Sequence, residues 1–172
     1  MSTTLRGLAN SASLPDTMLK WLNLSAVVIV LDQLSKWLMT SWLDLHESVA
    51  VIPSFNLTLA HNYGAAFSFL ASAGGWQRWF FVVLALAIST ALIIWLKRLG
   101  SYARLEAASL ALILGGAIGN VIDRLIHGYV IDFLDVYYGS YHWPAFNIAD
   151  SAICVGAVLL ILDSFRSKTE PQ

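Results

Sequence analysis

Four stretches of the chain are apolar enough and long enough to cross a lipid bilayer, at about 21–42, 77–96, 105–126 and 147–165. A hydrocarbon core of about 30 Å needs roughly 20 helical residues. The first run is the least apolar, with Asp32, Gln33, Ser35 and Lys36 in its second half. Those polar residues interrupt any clean signal-peptide core, and three more spans follow, so cleavage of this segment is not expected. The second run is the cleanest, from Phe80 through Ile88. The third carries Gly115, Gly116 and Gly119, a face that another helix can approach closely. The longest connection, residues 43–76, follows the first span. Within it Val49-Ala50-Val51-Ile52 and Phe55-Asn56-Leu57-Thr58-Leu59 predict two short β-like runs around Pro53. The following segment, Asn62 through Leu70, is too short to span and too apolar for a free loop. It predicts an element lying in the membrane interface.

The expected fold is therefore a membrane all-α domain of four transmembrane helices, with a small β-like and interfacial element between helices 1 and 2 on the extracytoplasmic side. Composition agrees: the chain is 58% hydrophobic and 12% charged, whereas a soluble domain carries about 25% charged residues. Residues 1–18 and 167–172 read as polar cytoplasmic tails around a single integral-membrane domain, 19–166. Basic residues set the orientation. Arg6, Lys20, Lys97, Arg98, Arg104, Arg166 and Lys168 fall on one side, and only Lys36, Arg78 and Arg124 on the other. By the positive-inside bias both termini are cytoplasmic. Trp37, Trp42, Trp76, Trp79 and Trp143 then form an outer aromatic belt, with Trp21 and Trp95 at the inner interface. The net charge of −1 offers no basic surface for nucleic acid. Cys154 is the single cysteine, inside an apolar run, and reads as a packing residue.

The informative polar residues gather toward the outer side. Asp132, in Val130-Ile131-Asp132-Phe133, and Asp150, in Phe146-Asn147-Ile148-Ala149-Asp150-Ser151, are both flanked by apolar residues. Acids so placed are costly near hydrocarbon and call for a partner. Taken singly, Asp150 could be an acid near a helix N-terminus, and Asp132 a water-exposed acid at a turn or strand end. Taken together they are each other's natural partner. Two carboxyls about 3 Å apart cannot both ionise easily and titrate as a unit, which is the working principle of an aspartyl protease. Other chemistries lack their residues. No His-Glu-x-x-His or Gly-x-Ser-x-Gly occurs. His46, His61, His127 and His142 have no ligand spacing. Ser35 and Lys36 are sequence neighbours, which on a helix do not face each other. Asn120, Asp123 and Arg124 share one face at the end of span three, where Asp123 and Arg124 read as a polar cluster closing the helix. No metal or cofactor is expected.

These residues are similar to those of a known family. The chain closely resembles the bacterial prolipoprotein signal peptidases (signal peptidase II) over about residues 20–166. The resemblance runs through Leu31-Asp32-Gln33-Leu34-Ser35-Lys36, Asn62-Tyr63-Gly64-Ala65-Ala66-Phe67, Gly115 through Arg124, Val130 through Phe133 and Phe146 through Ser151. It implies an aspartyl endopeptidase of the bacterial cytoplasmic (inner) membrane, with its active site toward the extracytoplasmic face. Asp132 and Asp150 would be the catalytic pair. Asp32, Lys36, Asn62, Gly64, Asn120, Asp123, Arg124 and Asn147 would orient the pair or hold substrate. The implied substrates are diacylglyceryl-modified lipoprotein precursors, cleaved just before the lipidated cysteine. Membrane lipid and the cyclic peptide inhibitor globomycin are the other implied partners, and the segment Gly64–Leu70 would cradle substrate. The competing reading is a transporter or channel subunit that uses intramembrane acids as a proton relay, but a relay wants carboxylates near the midplane and on both sides. A presenilin-like protease wants Gly-x-Gly-Asp, which is absent.

Overall fold

The computed structural model describes residues 18–64 and 74–166. The tails expected over 1–18 and 167–172 lie outside them but for Met18. So does the interfacial element expected over Asn62–Leu70, but for Asn62, which ends a β-strand, and Tyr63 and Gly64, which follow it. The four apolar runs form helices α1 (Leu22–Trp42), α2 (Gln77–Arg98), α3 (Arg104–Ile126) and α4 (Ile148–Arg166), within two residues of their expected ends. Each is long and apolar enough to cross a membrane. Their outward faces carry exposed Val30, Leu34, Val83, Val158 and Leu162, as lipid-facing surfaces must.

Helix α3 is the central element, packed against the other three. Its glycines allow this. A Cβ on Gly115 would stand 2.9 Å from the Ser25 carbonyl oxygen of α1, and one on Gly116 would collide with the Ala149 carbonyl of α4. One on Gly119 would come 2.6 Å from Oδ2 of Asp32. The predicted glycine face is thus the surface on which α1 and α4 close in. Toward the end of the bundle where α2 ends and α3 begins, Met18, Leu92, Leu96, Ala107, Leu110 and Leu114 form an apolar cluster.

A four-stranded antiparallel sheet in the order β1-β2-β3-β4 sits at the end of the bundle where α1 ends and α2 begins. Strands β1 (Ser48–Ile52) and β2 (Phe55–Asn62) are the two runs expected around Pro53. The turn between them uses Ser54 at φ 68°. The sheet is larger than the sequence suggests, because β3 (Val130–Tyr138) and β4 (Tyr141–His142) join it from the α3–α4 connection. Strand β3 lies antiparallel to β2, with Ala60 opposite Asp132 and Asn62 opposite Val130. Side chains alternate along a strand. Ile131 and Phe133 therefore pack with Met39, Leu43 and Leu59, while Asp132 faces the other way. Among the described residues, Lys20, Lys97, Arg98, Arg104 and Arg166 lie at the end of the bundle away from the sheet.

Buried polar residues lock the helices together just below the sheet. Lys36 of α1 is 2% exposed, and its Nζ lies 2.8 Å from both Asp32 Oδ2 and Asp123 Oδ2. Asp32 reaches on to α4, where its Oδ1 accepts the Ala149 N–H at 2.9 Å, a stabilising place for an anion at a helix start. Asp123 reaches β3, its Oδ2 accepting the Ile131 N–H at 3.0 Å. Gln33 adds a donor to Asp123 Oδ1 at 2.8 Å. Replacing Lys36 with Met leaves two buried carboxylates without their cation. The expected cost is about 3–5 kcal/mol of stability, read as a lowered unfolding midpoint of purified protein in detergent. An unchanged midpoint would show that the cluster does not hold the bundle.

Candidate active site

Asp132 and Asp150 arrive from different elements. Asp132 is on β3, and Asp150 is in the first turn of α4. Asn147 connects them. It caps α4: its Oδ1 accepts the Asp150 backbone N–H at 2.9 Å, and its carbonyl accepts the Ser151 N–H at 3.1 Å. With Oδ1 committed to that donor, its Nδ2 turns to Asp132 Oδ1 at 2.7 Å. Asn62 on β2 repeats the logic. Its Oδ1 accepts the Gly64 N–H at 3.0 Å, so its Nδ2 donates to Asp132 Oδ2, also at 3.0 Å. Asn120 on α3 does the same for the second acid. Its Oδ1 accepts from Lys36 Nζ at 3.2 Å, and its Nδ2 donates to Asp150 Oδ1 at 2.8 Å. Three amides, each oriented by a group that can only donate, present N–H groups to the two carboxyls.

Both acids line one cavity of about 720 Å³. Its polar side is formed by Asn62, Asn120, Arg124, Asp132 and Asp150, and its apolar side by Val130, Trp143, Pro144, Phe146 and Ile153. Asp132 is only 2% exposed, unlike a water-exposed strand-end acid. Burial, and after it the charge of Asp150, pushes the Asp132 carboxyl up to about 7. The amide donors from Asn62 and Asn147, and the charge of Lys36, pull in the other direction and are outweighed.

The remaining expected residues divide by position. Asp32, Lys36 and Asp123 lie behind Asn120, in the buried cluster. Arg124 is at the cavity and donates from Nη2 to the Gly64 carbonyl at 2.8 Å, its guanidinium 5.1 Å from the Phe81 ring. Asp123 and Arg124 therefore do not pair with each other: Asp123 faces Lys36 and Arg124 faces Gly64. Cys154 is not a packing residue. It is exposed and lines the cavity one turn beyond Asp150, because Ala149, Ala152 and Gly156 take the face of α4 that meets α3.

Some wall residues carry no sequence signal of their own. His61 lines the cavity from β2, and Tyr63 from just beyond its end. His61 stacks on Tyr129 with centroids 3.8 Å apart. Burial, then the neighbouring His46 and His127, lowers its pKa. Their place follows only from the register of β2 on β3, which the missed third strand concealed. His142 pairs with Asp135 at 2.8 Å, outside the cavity. Among the described residues no group of three or more His, Cys, Asp or Glu side chains is arranged to hold a metal ion.

The family model described as signal peptidase (SPase) II matches residues 24–166. A lipoprotein signal peptidase of Alteromonas mediterranea is 55% identical over 152 residues, covering 88% of this chain and 84% of the relative. One of Photorhabdus laumondii is 55% identical over 154 residues, covering 90% and 92%. A solved bacterial membrane enzyme, determined in meso at 2.3 Å, superposes with a TM-score of 0.80 at 29% identity, over 89% of this chain and 92% of that one. A second, at 1.9 Å, gives 0.73 at 31% identity over 84% and 91%. With the match spanning all four helices and both acids, the chain belongs to the signal peptidase II family.

Proposed function

We propose that this protein is an aspartyl endopeptidase that removes signal peptides from diacylglyceryl-modified prolipoproteins, cleaving just before the lipidated cysteine. The observation that carries the reading is the convergence of Asp132 and Asp150 on one cavity, each held by amide donors, in a peptidase of this family. The pair shares one proton. The ionised carboxyl takes a proton from water as the water attacks the scissile carbonyl carbon, while the protonated carboxyl donates a hydrogen bond to the carbonyl oxygen. As the tetrahedral intermediate collapses, the first acid returns its proton to the departing amine. No covalent intermediate forms. Asn62, Asn120 and Asn147 hold the carboxyls in register for this exchange, and Asp32, Lys36 and Asp123 hold those amides. Arg124 fixes Gly64 and with it Asn62. Globomycin-type cyclic peptides would occupy the same cavity as the precursor.

The charge distribution supports an orientation. The basic residues gather at the end away from the sheet, so by the positive-inside bias both termini are cytoplasmic. The cavity then opens at the extracytoplasmic face of the bacterial cytoplasmic membrane. That is the depth at which the scissile bond of a precursor anchored by diacylglycerol in the outer leaflet would sit.

Asp132→Asn and Asp150→Asn should each abolish cleavage of a diacylglyceryl-modified precursor in detergent, by about 10³-fold or more, with unfolding midpoints close to the parent's. Near-full activity in either variant would remove that residue from the pair.

The pH dependence has a definite sign. Asp132 keeps its proton below about 7 and loses it above, and an all-ionised pair has no acid to offer the carbonyl. kcat/KM should therefore fall by about tenfold per pH unit on the alkaline side of that value. A profile still flat two units above it would contradict the shared proton. The same shift acts on folding: native Asp132 binds its proton more tightly than the unfolded chain, so its contribution to stability declines as pH rises from about 4 to about 7.

A further inference from the structure

The sheet has an unpaired edge at the cavity. Beyond β4 the chain continues alongside β3 as residues 143–146. There the Trp143 N–H donates to the Val136 carbonyl at 2.8 Å, and the Phe146 N–H to the Leu134 carbonyl at 3.1 Å. The Phe146 carbonyl accepts in return from the N–H groups of Phe133 and Leu134, at 3.0 and 2.8 Å. Phe146 is thus an antiparallel partner of Leu134. In such pairing the N–H and C=O of one residue point to the same side, and successive residues point to opposite sides. With Phe146 turned to β3, the N–H and C=O of Ala145 turn away from it. Neither has a hydrogen-bond partner among the described residues. Ala145 lines the cavity that holds Asp132 and Asp150. Pro144, before it, has no N–H to offer. The edge beside the two acids therefore presents one free donor and one free acceptor, next to a methyl group small enough to let another main chain come close.

We propose that Ala145 is a positioning residue that acts through its backbone: the precursor's main chain, extended near the scissile bond, runs alongside residues 143–146 and pairs with the Ala145 N–H and C=O. The inference rests on the proposed function and adds how the peptide is held. Around Ala145 the cavity wall is apolar, with Val130, Trp143, Pro144, Phe146 and Ile153. A precursor seated against that wall shields Ala145 from solvent. A buried N–H or C=O left without a partner costs about 1–3 kcal/mol, so the occupant must bring both an acceptor and a donor to this spot. An acyl chain brings neither. A helical signal peptide has its own N–H and C=O groups already paired. An extended peptide brings both within one or two residues, as strands do when they add to an open sheet edge. The signal peptide is therefore unwound where it is cut. Because the contact is with the main chain, it tolerates any side chain at that position while fixing how far the peptide slides along the cavity, and hence which peptide bond meets the acids.

The test has a substrate arm and a protein arm. Lipidated precursor peptides are made with a single backbone amide replaced by an ester, at each peptide unit around the scissile bond except the scissile unit itself. On the parent protein kcat/KM should fall by about tenfold for one unit or for two consecutive units, and change little for the rest. In the protein arm, exchange of the Ala145 amide hydrogen is followed by NMR with isotope-labelled alanine in Asp150→Asn, the variant expected to bind precursor without cutting it. The all-amide precursor should slow that exchange by about tenfold or more, and the precursor with the sensitive ester should slow it less at equal occupancy. Equal losses for every ester, no loss for any, or an Ala145 amide that exchanges as fast with precursor bound as without it would overturn the strand contact while leaving the peptidase reading intact. Failure of the parent to cleave the all-amide precursor would overturn both.

Discussion

One buried cation organises this protein. Lys36, on a membrane-spanning helix and almost without solvent access, sits between the carboxylates of Asp32 and Asp123. Neither the ammonium nor the acids could remain there alone, since an isolated charge in hydrocarbon costs several kcal/mol. Together they are satisfied, and the spare hydrogen-bonding capacity of each is directed to a different element. Asp32 takes the first turn of α4, Asp123 takes the start of β3, and Lys36 itself takes the side chain of Asn120. The two elements that carry the acids of the site are thus tied to the same charge cluster. The glycines of α3 are part of this arrangement, because only with no side chain at Gly119 can Asp32 lie between α1 and α4.

The site inherits its order from that cluster. An amide can donate or accept at either end of its fork, and a misplaced flip would set an oxygen against a carboxylate. Here each flip is decided by a neighbour with no choice: Lys36 for Asn120, the Asp150 N–H for Asn147 and the Gly64 N–H for Asn62. The carboxyls consequently meet donors, beside the apolar wall of the cavity. The proposed reaction, on a lipid-anchored peptide, needs both surfaces in one cavity, and the sheet helps to bring them together. It lifts Asp132 out of the bundle while its other face packs Ile131 and Phe133 onto the end of α1.

Hydrophobic runs of the right length made the four helices legible in the sequence, with ends placed to within two residues, because a bilayer-length apolar run has few alternative structures. The first hairpin was legible too, from its β-branched runs and Pro53. Strand β3 was not. Its acids fall at Asp132 and Asp135, on opposite faces, which erases the alternation by which a half-buried strand is recognised. With β3 missing, the wall of His61 and Tyr63 could not be placed. The acids themselves stood out because charge among apolar residues is rare in a membrane. The orienting roles of Asn62, Asn120 and Asn147 are tertiary: each depends on a partner far along the chain, and no spacing announces it. Cys154 shows the opposite failure. An apolar run suggests burial in a soluble protein, but in a membrane helix the same run is equally suited to the lipid-facing side, and packing against α3 is claimed by the small residues instead.

The account stands on the two carboxyls acting as one titrating unit. The direct test is the carboxyl stretch of Asp132, resolved by isotope-edited infrared spectroscopy, followed against pH in the parent protein and in Asp150→Asn. Its protonated band should persist to about 7 in the parent, and should vanish at a distinctly lower pH once the Asp150 charge is removed, with burial alone sustaining what shift remains. Identical titrations in the two proteins would mean that the acids do not meet, and the shared-proton mechanism would fall with them.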